Sequence, residues 1–123
     1  MLDAGALVAF ERGDRDVAAL VEASRRRREQ VVTSSGCVAQ AWRQGGARQA
    51  LLARLLAGVA EQGLDVQVSR AIGELCSRTG SRDVVDAHVA LLAGDGDVLL
   101  TSDAVDLRRL LEATGSAASL RVC

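Results

Sequence analysis

Short runs rich in β-branched residues and leucine, VVTS at 31–34, LDVQV at 64–68, DVLLTS at 97–102 and SLRV at 119–122, alternate with longer segments whose apolar residues recur at a period near 3.6. That alternation constrains the fold more than any other feature of the chain. The periodic segments, at 5–12, 14–28, 36–43, 46–61, 69–79, 83–93 and 103–114, predict helices; the short runs predict strands, with a further stub at Leu2. Strands separated by helices allow the right-handed crossovers that parallel pairing needs, so the expected architecture is α/β with a parallel sheet covered on both faces. No repeat, linker or low-complexity segment divides the sequence, and without proline the glycines are its main punctuation. The 123 residues read as one domain, 1–123, long enough to bury roughly two-thirds of the extended-chain surface. Only Met1 and Leu2 precede the first acid, so either the first strand is very short or the natural start lies upstream.

Composition narrows the chemistry. Hydrophobic residues make up 49% of the chain, yet no apolar run approaches the roughly 18 residues of a membrane span. The amino terminus lacks the pattern of a signal peptide. The expectation is a cytoplasmic protein that does not engage a membrane. Cys37, Cys76 and Cys123 are odd in number and widely spaced, which argues for reduced thiols, two of them in the core, rather than disulfides or a zinc site. The 15 basic residues are all arginine. Mechanisms that need a lysine are therefore excluded, among them the phospho-accepting receiver domain, which would also put acids at strand ends. His88 is the only histidine, so two-histidine mechanisms are excluded as well, and it reads as packing.

The stretch DVVDAHVALLAGDGDVLLTSDAVDL, 83–107, carries acids as its only charged groups. Asp83 with Asp86, and Asp103 with Asp106, have the spacing of a helix cap followed by an acid at the third helical position. Asp3, ahead of GALVAFE, suits a cap of the first helix. Taken one at a time, capping explains each acid. Taken together, Asp3 and Asp103 both stand where a strand gives way to a helix, at the carboxyl edge where ligand sites of parallel sheets lie, with the strand before Asp3 expected beside VLLTS. Asp86 opens a helix that is apolar on every side and reads as packed inside, which would leave its carboxylate no simple route to water. Bare carboxylates about 4 Å apart repel by several kcal/mol at an effective dielectric near 20, and a shared divalent cation reverses the sign. Oxygen-only ligands suit Mg²⁺ or Mn²⁺.

LDAGALVAFERGD at 2–14, DVVDAHVALLA at 83–93 and VLLTSD at 98–103 resemble, in order and spacing, the PIN-domain ribonucleases, in particular the VapC-type toxins of bacterial toxin–antitoxin pairs. The resemblance covers essentially the whole chain. It implies a three-layer α/β/α sandwich with a central parallel sheet, and a metal-dependent endoribonuclease whose Asp3, Asp86 and Asp103 hold Mg²⁺ or Mn²⁺. It further implies an RNA substrate, a homodimer and a cognate antitoxin. If that reading holds, the ion would lower the pKa of a bound water that attacks phosphorus, and without paired histidines there is no obvious route through the RNA 2′-hydroxyl, so 5′-phosphate and 3′-hydroxyl ends are expected. Asp83 is a possible additional acid, and Thr101 and Ser102 are hydroxyls that could meet a carboxylate or a phosphate, or cap a helix. Gln40 stands where the family commonly has a glutamate, which keeps open a second reading, a PIN-fold binding module that no longer cleaves. Arg43 and Arg48, beside Trp42 and Gly45-Gly46, are candidate contacts to RNA or to a partner, with Trp42 itself read as core. The run Arg25 to Arg28 reads as the solvated end of a helix.

Overall fold

The computed structural model describes Met1–Cys123 and contains seven helices and four strands. In chain order they are α1 (Ala4–Glu11), α2 (Arg15–Arg26), β1 (Val32–Ser34), α3 (Ser35–Ala41), α4 (Ala47–Leu56), β2 (Ala60–Gln62), α5 (Val66–Thr79), α6 (Val84–Leu92), β3 (Val98–Thr101), α7 (Ala104–Thr114) and β4 (Ser119–Val122). β1 pairs with β2 and β3 with β4, both in parallel. Between the two pairs lies a single residue, Leu2, which bridges to Thr33 on one side and Leu100 on the other, again in parallel. Its own N–H donates to Val32 O at 2.9 Å, and Asp3 N–H donates to Leu100 O at 3.2 Å. The strand stub at Leu2 is therefore real, and it lies beside VLLTS as expected.

Leu2 is 1% exposed and belongs to the hydrophobic core with Leu7, Val17, Leu52, Leu75, Val89, Leu99 and Leu110. The helices pack as two groups: α1 touches α2, α3 and α4, while α5, α6 and α7 pack on one another. No helix is long and apolar enough to cross a membrane.

Several expectations need correction. LDVQV is not a strand. Asp65 accepts a hydrogen bond from Val68 N–H at 2.8 Å and caps α5, so the β-branched Val66 and Val68 enter the first helical turn. The second strand is Ala60–Gln62 instead, read from sequence as the end of a long helix, and Ala60 N–H donates to Val31 O at 2.8 Å. Trp42 is no core residue; it is 44% exposed in the turn after α3. Helix α6 is buried from Ala87 to Ala90 but leaves Val84 and Leu91 exposed, so it is not enclosed on every side. Of the three free cysteines only Cys37 is buried; Cys76 and Cys123 are half-buried against the core.

Candidate functional site

Parallel strands leave their carboxyl ends on one edge, and here three of them hand over to a helix with almost no loop: Leu2 to α1, β1 to α3 and β3 to α7. The handover residues are the caps. Asp3 accepts from Ala6 N–H at 2.7 Å, Ser34 from Gly36 N–H at 3.0 Å, and Asp103 from Val105 N–H at 3.2 Å. Asp83 caps α6 in the same way, accepting from Asp86 N–H at 2.9 Å. Capping, the simplest explanation of each acid, is thus what Asp3, Asp83 and Asp103 do within the fold.

Two close approaches tighten this edge. A Cβ on Gly5 would lie 2.6 Å from Ser102 Cβ, so only glycine lets α1 lie against the end of β3. A Cβ on Gly36 would lie 2.9 Å from a methyl of Val85, which brings the start of α3 against α6. Buried Thr101 fixes the turn into α7 through its hydroxyl, which donates to Asp103 O at 3.0 Å and accepts from Asp103 N–H at 2.9 Å.

The acids share an electrostatic neighbourhood. Asp86 is half-buried, and its carboxyl is pushed up to about 6 by burial first, then by Asp83, Asp3, Asp103 and Asp106; no hydrogen bond holds it down. Asp3 is 5% exposed. Burial raises its pKa, an effect opposed by the Thr101 hydroxyl and by the Ala6, Ser102 and Gly5 N–H groups. Buried Cys37 feels both: its thiol is pushed up to about 12, by burial first, then by Asp3 and, more weakly, by Asp86. It is a neutral filler beside the acids, a role that its sequence position did not disclose. Nor did Asp106 draw notice beyond capping.

Beneath this edge His88 is 1% exposed, with Nδ1 at 2.7 Å from Ser34 Oγ and Nε2 without a partner. Burial lowers its pKa, so the ring is neutral packing, as read from sequence, with Ser34 as a partner that the sequence did not point to.

As the side chains stand, no three of the His, Cys, Asp and Glu groups are gathered about one point that could hold a metal ion. Asp83 and Asp103 are exposed, as is Ser102. Gln40 is exposed near the end of α3, and Arg43 and Arg48 are exposed in and after the following turn. Arg43 is tied locally, its N–H donating to Gln49 Oε1 at 2.6 Å and its guanidinium to Trp42 O at 2.8 Å. None of these three is among the groups that perturb Asp86. Comparison with known proteins finds no matching family model, no matching curated protein and no matching solved structure.

Proposed function

We propose that the protein is a metal-dependent endoribonuclease with the three-layer α/β/α architecture of the PIN domains, acting as the toxin of a toxin–antitoxin pair. The observation that carries this reading is Asp86: a half-buried carboxylate without a hydrogen-bond donor, destabilised by burial and by Asp83, Asp3, Asp103 and Asp106 together. Such a group gains from a nearby cation what it lacks from the fold. The donor set is oxygen-only, which fits Mg²⁺ or Mn²⁺, and Asp86 would hold the ion with Asp3 and Asp103, Asp83 adding negative charge. A bound ion of this kind acidifies a water and offsets charge developing on a phosphate.

The chain's own groups have separable tasks in this reading. Asp86, titrating near 6, is ionised at neutral pH yet is able to take up a proton. Asp3 is held in place by Ala6 N–H, and Thr101 orients the backbone from which Asp103 projects. Ser102 is exposed beside them, where its hydroxyl can donate to a phosphate oxygen. With one histidine and no lysine there is no pair of bases for a route through the ribose 2′-hydroxyl, so 5′-phosphate and 3′-hydroxyl products are expected. The sequence resemblance supports, in addition, a cytoplasmic homodimer and an antitoxin partner, with Arg43 and Arg48 as contacts.

Purified protein should cleave RNA with Mg²⁺ or Mn²⁺ and stop in EDTA, while Asp86→Asn abolishes cleavage, weakens Mn²⁺ binding in a calorimetric titration and leaves the chain folded. A second reading, a PIN-fold binding module, is favoured by the open arrangement of the acids and by the exposed Gln40. Gln40→Glu separates the two: tighter Mn²⁺ binding and faster cleavage support the nuclease. If Mn²⁺ binding and cleavage are unchanged in both variants, the binding module takes its place.

A further inference from the structure

A groove of about 570 Å³ runs along α1 away from the acidic edge. Gly5, Val8, Ala9 and Arg12 form one wall, and Ser102 and Cys123 close the end nearer the acids. Gly5, Val8 and Ala9 of α1 and its C-cap Arg12 follow the spacing of a single helix face, over roughly 10 Å at 1.5 Å per residue. That length accommodates a few nucleotides of one strand.

At its near end the groove is lined by Ala4 and Ser102, the chain neighbours of Asp3 and Asp103, so the acidic edge and the groove adjoin. At its far end is Arg12, exposed and a member of none of the three ion pairs of the chain. Asp14 also borders the groove; its carboxylate accepts from Asp16 and Val17 N–H at 2.9 and 3.0 Å and caps α2 rather than pairing with Arg12, and its charge is felt at Cys123. Arg12 is thus left as a cation without an internal partner, and Val8 and Ala9 give an apolar floor between it and the exposed hydroxyl of Ser102.

We infer that this groove seats single-stranded RNA beside the acids, with Arg12 gripping a backbone phosphate and the Val8–Ala9 floor taking the sugar and base. A single helix face with one cation suits one strand, read by its backbone, rather than a duplex. The inference rests on the nuclease reading and names the path of its substrate.

The test is equilibrium binding, by fluorescence anisotropy, of a short labelled single-stranded RNA to the full chain in EDTA, over a series of salt concentrations. Arg12→Ala should weaken binding and lower the slope of log affinity against log salt by about 0.7, the share of one single-strand phosphate contact. Arg12→Lys should keep that slope, and Ala9→Glu, which puts an anion midway along the groove, should weaken binding as well. An Arg12→Ala protein with unchanged affinity and slope overturns the inference; metal-dependent cleavage by the wild type would then leave the nuclease reading standing. A wild-type protein that neither binds nor cleaves RNA removes both.

Discussion

A carboxyl that titrates near 6 is a stability statement as well as a chemical one. Asp86 reaches that value through burial and four acidic neighbours, whereas in the unfolded chain it titrates near 3.9. Proton binding therefore favours the fold. The contribution is complete below about pH 4 and is lost as pH rises through about 6. Asparagine has the shape of the protonated acid and cannot ionise. Asp86→Asn is thus expected to stabilise the protein above pH 6 by about 1–2 kcal/mol, once each unit's 1.4 kcal/mol is discounted for a side chain that is part-exposed. Below pH 4 it should change little. Urea unfolding at pH 4 and pH 8 checks this, and an equal gain at both values would assign the effect to packing. At this scale the acids were legible, because a cap and a strand-to-helix junction both leave a local signature. The place of Cys37 beside the acids was not, since what a buried thiol lies near is a product of the helix packing around it and has no signature along the chain. Gln40 was located by resemblance alone, and it is exposed near the end of α3.

Among the elements, the contact of α1 with the end of β3 turns on Gly5. Alanine normally improves a helix by up to about 1 kcal/mol over glycine, but here its Cβ would fall 2.6 Å from Ser102 Cβ and 3.0 Å from Ser102 N. The overpacking is expected to win, so Gly5→Ala should destabilise by about 1–3 kcal/mol. In a Ser102→Gly background the side-chain clash is gone, and the same substitution should be close to neutral. Thermal unfolding of the four proteins of this double-mutant cycle gives the coupling directly, and additive effects would show that the two residues do not meet. Most helices and three of the four named strands stood out in the sequence because their periods differ. The exception is instructive: LDVQV has the composition of a strand, but Asp65 in front of two valines is also a helix cap, and the cap prevailed. Ala60–Gln62 has no strand composition at all and becomes a strand because its backbone meets β1.

For the molecule as a whole, Leu2 is the joint. Without its bridges to Thr33 and Leu100 the sheet is two separate pairs, β1 with β2 and β3 with β4. Leu2→Ala should cost about 2–5 kcal/mol, the range for a fully buried leucine. Because both pairs hang on this residue, hydrogen exchange should show β1 and β3 losing protection together; loosening of one alone would mean that the halves are held by their helices. Parallel order has another result at this scale. It sets the positive ends of α1, α3 and α7 on the edge that carries Asp3 and Asp103, and each helix end is already satisfied by the residue that caps it. Peptide dipoles thereby neutralise part of the charge that would otherwise demand a counter-ion. If the edge holds an ion as proposed, the chain can fold first and load later, so its shape would not wait on the supply of metal.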